Sequence, residues 1–137
     1  AMEEMIIVMG NGMVRNGAVR RDLGLFPRVL TEDLIPYIEG HYHVLPDKWH
    51  RAMAVLSMGS FHTALTTLSH PEMFGYAGLF SGFLRAPWGS EQEEPHLRLL
   101  GDPEAFNAAF RVFYRAMGTE DQFWDSFAKD DEYLKGN

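Results

Sequence analysis

The sequence predicts an α/β fold in which a parallel sheet of about four strands is flanked by helices. Short continuous apolar runs recur along the 137 residues, and segments of helical periodicity separate them. The strands are predicted at residues 5–9, 51–56, 76–80 and 111–117. Because strands alternate with helices, the sheet should be parallel, and ligands should bind at the carboxyl ends of its strands.

The predicted helices follow from periodicity and from their terminal residues. Thr31 is predicted to cap the first helix, because Thr-Glu-Asp precedes apolar residues at helical spacing, with Pro36 in the first turns. The remaining helices are predicted at residues 58–69, 103–109 and 122–134. Residues 81–102 form a long connection with two prolines, and long connections in compact domains are often functional.

Composition excludes several classes of protein. The chain is long enough for one domain that folds alone, and no apolar run approaches the roughly 20 residues that cross a bilayer. A formal charge of −7 argues against nucleic acid as a partner. With no cysteine, disulfides and thiolate chemistry are excluded. No secretory signal pattern is visible, so we expect a cytoplasmic protein with no membrane partner.

Two polar residues follow predicted strands at the same edge of the sheet. Ser57 comes after the second strand and before helix 58–69, and Asp121 comes after the fourth strand. A serine in a sharp strand–turn–helix junction exposes its Oγ, and the Met58 N–H would point into the oxyanion position. The alternative is that Ser57 only caps its helix, and Ser-x-Gly alone does not decide between them.

Several longer motifs occur in a fixed order along nearly the whole chain. They are IIVMGNG at 6–12, DLIPYIE at 33–39, HVLPD at 43–47, RAMAVLSMG at 51–59, SHPEMFGY at 69–76 and GTED at 118–121. This series resembles the Putative esterase family, the esterase-D and feruloyl-esterase-like branch of the α/β-hydrolases. The resemblance implies a serine esterase with an acyl-enzyme mechanism, in which Ser57 is the nucleophile, Asp121 orients the histidine and Met58 supplies an oxyanion N–H.

The resemblance also implies a class of substrates, and this sequence differs from the family pattern in several places. Expected substrates are small carboxylic esters, such as acetyl or feruloyl esters of carbohydrates, with no cofactor. Residues 1–137 look like one truncated α/β-hydrolase domain, without the strand of the second oxyanion donor and the final histidine segment. None of the six histidines follows Asp121, so we expect at most weak activity. Val55 and Ser60 also replace small or glycine residues of the family's elbow, which is the sharp strand–turn–helix junction that carries the serine.

An internal base, if there is one, should be His96, because only this histidine lies in a loop that leaves a strand at the correct edge. The alternative for His96 is a solvated loop residue beside Glu93 and Glu94. His41 and His43 could suggest a metal site, but two ligands with no obvious third are more often a polar loop. No metal is therefore expected.

Two classes of function stay open at this point. One is the serine esterase, and the other is a non-catalytic remnant that serves as an interaction module or pseudoenzyme. A missing strand between residues 6–9 and the serine strand would expose an apolar sheet edge, and missing helices would uncover sheet surface. We therefore expect a homo-oligomer, with a symmetric dimer as the commonest closed form.

Overall fold

The sheet of the chain consists of three parallel strands in the computed structural model, which describes residues 4–12, 24–85 and 95–136. The strands lie in the order β1 (Ala52–Leu56), β2 (Tyr76–Phe80) and β3 (Val112–Ala116). Leu56 pairs with Phe80 and Phe80 pairs with Ala116, so the three strands end at one level. The predicted α/β class is confirmed, and three predicted strands lie within one residue of their observed ends.

Helices connect and flank these strands. They are α1 (Leu25–Arg28), α2 (Ile35–His41), α3 (Met58–Ser69), α4 (Pro103–Ala109) and α5 (Trp124–Gly136), with 3-10 helices at Lys48–His50 and Pro95–Gly101. The bounds of α3 and α4 agree with the sequence-based prediction. Residues 86–94 of the long connection, which include Glu93 and Glu94, lie outside the described residues.

The predicted strand at residues 5–9 is wrong. This segment has no regular secondary structure, and its side chains are exposed, with Ile7 at 74% and Met9 at 92%. A strand forms only where a neighbour completes its backbone hydrogen bonds, and within the described ranges no strand lies beside this segment. Within the described residues, the sheet therefore has three strands rather than about four, and β1 forms one of its edges.

The predicted cap at Thr31 is also wrong. Helical structure begins earlier, at α1, and passes through a π-helical turn, Val29–Leu34, into α2. The Thr31 hydroxyl donates to the Pro27 carbonyl at 2.9 Å, which is a bond within the helix. Pro36 cannot donate a backbone hydrogen bond, and its ring crowds the preceding turn, which accounts for the wider turn before it.

The core lies between one face of the sheet, α3 and the following helices. Its main cluster consists of buried apolar residues: Ala64, Leu68, Ala77, Leu79, Leu84, Leu100, Ala109 and Phe110. The opposite face of the sheet is open in the described residues, with Leu56 64% exposed and Tyr114 52% exposed. Parallel sheets are normally covered on both faces, so this open face is available for a further contact. No described helix is both long and apolar enough to cross a membrane.

Candidate active site

Ser57 occupies a strained turn between β1 and α3. Its backbone angles are φ 57° and ψ −124°, a region that side-chain-bearing residues rarely adopt. The Ser57 N–H donates to the Phe80 carbonyl at 2.8 Å, which extends the pairing of β1 with β2 by one residue. Such strain costs about 1–3 kcal/mol and persists only where the surrounding structure imposes it. The side chain is exposed at the carboxyl edge of the sheet.

The Ser57 hydroxyl does not cap α3. A capping serine accepts a hydrogen bond from the second or third N–H of its helix, and Ser57 makes no such side-chain bond. The Met58 N–H is the first of α3, and the first N–H groups of a helix have no acceptor within the helix. An exposed hydroxyl therefore lies beside the first N–H of α3, at the positive end of a helix dipole.

Close packing holds this turn in place. Val55 lies directly against Gly59, where an added Cβ would lie only 2.0 Å from a Val55 methyl group. The Ser60 hydroxyl lies 2.7 Å from the carbonyl oxygens of both Val55 and Phe80, and its one proton can be donated to either of them. Val55 and Ser60, the two departures from the family pattern, therefore take part in fixing the elbow. Sequence reasoning did not identify this supporting role.

Asp121 lies beyond the carboxyl end of β3, at the same edge of the sheet as Ser57. Its Oδ1 accepts a hydrogen bond from the Phe123 N–H at 2.9 Å, and its own N–H donates to the Gly118 carbonyl at 3.0 Å. Its Oδ2 makes no hydrogen bond with any described residue. The turn therefore holds the carboxylate through one of its two oxygens. No hydrogen bond joins Asp121 to Ser57.

His96 is buried, with 3% of its surface exposed, so its interpretation as a solvated loop residue is wrong. Its Nε2 donates to the Leu84 carbonyl at 2.9 Å, and its ring packs edge-on against Phe61 with centroids 5.9 Å apart. A general base needs an unprotonated nitrogen directed at the serine, and the bonded Nε2 carries a proton. No hydrogen bond joins His96 to Ser57 or Asp121. The contacts therefore give no support to His96 as the base, which stays a prediction.

His41 and His50 interact with residues close to them in the sequence. His41 donates through Nδ1 to the Tyr37 carbonyl at 2.7 Å and stacks on the Tyr37 ring. His50 lies 2.8 Å from Asp47, and this hydrogen bond lowers the pKa of the Asp47 carboxyl. Within the part of the chain that the structure describes, no three potential metal ligands come together.

A buried ionic cluster around Asp130 of α5 was missed by sequence reasoning. Asp130 is 2% exposed and accepts hydrogen bonds from the Leu84 N–H at 2.6 Å and from Arg85 Nε at 3.0 Å. Arg115 lies 3.4 Å from Asp130 and 2.6 Å from Asp131. Burial lowers the pKa of Arg115, and the two carboxylates oppose that effect. An arginine inside an apolar strand was the available signal, because a buried charge needs a partner.

Two comparisons show which known proteins this chain is similar to. The family model described as Putative esterase matches residues 8–131. An endo-1,4-beta-xylanase/feruloyl esterase of Xylanibacter ruminicola is 44% identical over 85 residues, a match that covers 59% of this chain. The chain spans 12% of the length of that curated relative.

Proposed function

The chain belongs to the Putative esterase family, and on that premise we propose that it hydrolyses carboxylic esters with Ser57 as nucleophile. The observation that carries the proposal is the conformation of Ser57. Its positive φ holds the hydroxyl out of the sheet edge, and that hydroxyl serves no capping role. Strain retained at a residue with no structural use for its side chain points to function.

The proposed reaction proceeds through an acyl-enzyme. A base removes the Ser57 hydroxyl proton, and Oγ forms a bond to the ester carbonyl carbon, whose oxygen becomes negative. The Met58 N–H donates to that oxygen, and the bond to the alcohol breaks as the base returns the proton to the leaving oxygen. Water then releases the acid by the same steps. Asp121, through its open Oδ2, orients the base, for which the described contacts favour no histidine.

The substrate class is proposed from the relative. Its name joins a xylanase to a feruloyl esterase. We propose acetyl or feruloyl esters of carbohydrates as substrates of this chain.

Hydrolysis of p-nitrophenyl acetate tests the nucleophile. We expect turnover below about 1 per second, because within the described residues no hydrogen bond joins a histidine to Ser57, and complete loss of that turnover in Ser57→Ala. Ser69→Ala is the matched control, since Ser69 is exposed at the opposite end of α3, and it should keep the wild-type rate. A Ser57→Ala protein as active as the wild type would contradict the proposal.

A second proposal, favoured by the open sheet, is that the chain forms a homo-oligomer and serves as an interaction module. Leu56, Phe80, Val112 and Tyr114 leave apolar surface exposed on one sheet face, and β1 is an unpaired edge within the described residues. A symmetric dimer would cover such surface with an equally apolar partner.

Light scattering at micromolar concentration tests this second proposal. The wild type should have the mass of a dimer, and Tyr114→Lys should be monomeric because a charge would be buried at the contact. Leu45→Lys, which places the same charge at a loop residue 61% exposed, should remain dimeric. A wild-type monomer would refute the dimer. A dimer with no Ser57-dependent hydrolysis would favour the interaction module over the esterase.

A further inference from the structure

The segment after β2, residues 81–85, first contacts the turn that carries Ser57. The Ser81 N–H donates to the Ala116 carbonyl at 2.8 Å, and Ser81 has a positive φ of 46°. Gly82 then lies so close to the elbow that a Cβ there would be 2.1 Å from Ser60 Cβ and 3.2 Å from the Ser57 carbonyl oxygen. The start of this segment is therefore packed against the nucleophile turn.

The remainder of the same segment contacts the Asp121 side. Phe83 is buried and packs edge-on against Phe123, with ring centroids 5.6 Å apart. Phe123 is the residue whose N–H binds the Asp121 carboxylate. The Leu84 N–H and the Arg85 guanidinium then bind Asp130, and Arg85 also donates to the Lys129 carbonyl. Residues 81–85 thus join the Ser57 turn to the Asp121 turn and to α5.

Asp130 is the anchor of this connection. Both of its oxygens accept hydrogen bonds from residues 81–85, and it lies on α5, the helix that follows the Asp121 turn. Its charge is balanced by Arg85 and by Arg115, whose side chain is itself 7% exposed. A carboxylate at 2% exposure would be costly without these partners.

We propose that Asp130 is a positioning residue, which fixes residues 81–85 to α5 and thereby holds the turns of Ser57 and Asp121 in one arrangement. No hydrogen bond joins Ser57 to Asp121, so their separation depends on the strands and on this connection. The catalytic consequence rests on the proposed function. A displacement of about 1 Å between reacting groups costs on the order of a hundredfold in rate.

Hydrogen exchange of backbone amides tests the connection without requiring activity. In Asp130→Asn, we expect the amides of residues 81–85 and 121–123 to exchange about tenfold faster, since bonds to a charged acceptor are replaced by weaker ones. The amides of β1 and α3 should be unchanged. The matched control is Asp131→Asn, because Asp131 binds Arg115 but no residue of 81–85, and it should leave both segments at the wild-type rate. Equal exchange in Asp130→Asn and wild type, or equal acceleration in the two variants, would overturn the proposal.

A second variant covers the case in which Asp130→Asn does not fold. Arg85 has a side chain that is 42% exposed, so Arg85→Gln should fold and should accelerate exchange in residues 81–85 by a smaller factor. Unchanged exchange in Arg85→Gln would then overturn the proposal.

Where the wild type hydrolyses esters, Asp130→Asn should lower kcat about tenfold with KM unchanged. A wild type without Ser57-dependent hydrolysis refutes the esterase but leaves the exchange experiment decisive for Asp130.

Discussion

Gly82→Ala is expected to lower the free energy of unfolding by about 3 kcal/mol or more, and the melting temperature by roughly 10 °C. The added Cβ would lie 2.1 Å from Ser60 Cβ and 2.7 Å from Ser60 Oγ. Ser60 Cβ is attached to the backbone of α3 and cannot rotate away, so the helix or the turn after β2 has to move. Because the Ser57 carbonyl is also close, the same shift should reduce any Ser57-dependent hydrolysis.

The comparison for this prediction is Gly101→Ala, where nothing lies within 4 Å of the added Cβ, and this variant should melt within about 2 °C of the wild type. Ser60→Gly tests the cause, since it removes both of the closest atoms. Gly82→Ala should lower the free energy of unfolding by at least about 1 kcal/mol less in the Ser60→Gly protein than in the wild type. Thermal and urea unfolding measure both effects. If Gly82→Ala lowers the free energy of unfolding equally in both proteins, then the contact with Ser60 does not cause the destabilisation.

The strands show what sequence patterns can and cannot determine. The apolar runs at residues 5–9 and 76–80 have the same local character, but only the second forms a strand. The difference lies in the neighbours, because β2 is paired on both sides and residues 5–9 have no described partner strand. Pairing is a long-range property, and a local pattern does not contain it.

The candidate site was partly predictable for a similar reason. The positions of Ser57 and Asp121 follow from strand ends, which are local signals, and the strands that precede them end at one level in the structure. Their catalytic roles stay predictions. Asp130 and His96 were not predictable, since a carboxylate in a polar helix and a histidine near acidic residues both suggest solvent exposure. Their burial depends on partners distant in sequence, Arg85 and Leu84.

Replacing Gly59 by alanine is the second change with a large expected effect, about 3 kcal/mol of unfolding free energy or more. The new Cβ would lie 2.0 Å from one Val55 methyl carbon and 2.8 Å from Val55 Cβ, and rotation of the valine side chain would not move its Cβ. Val55→Gly removes these contacts, so Gly59→Ala should lower the free energy of unfolding much less in the Val55→Gly protein than in the wild type. Gly40→Ala, at an open position in α2, should be neutral or stabilising by up to about 1 kcal/mol, because alanine favours helix. Urea unfolding of the four variants and the wild type decides the matter: if Gly59→Ala is as stable as Gly40→Ala, then the tight contact between β1 and α3 does not fix the Ser57 turn.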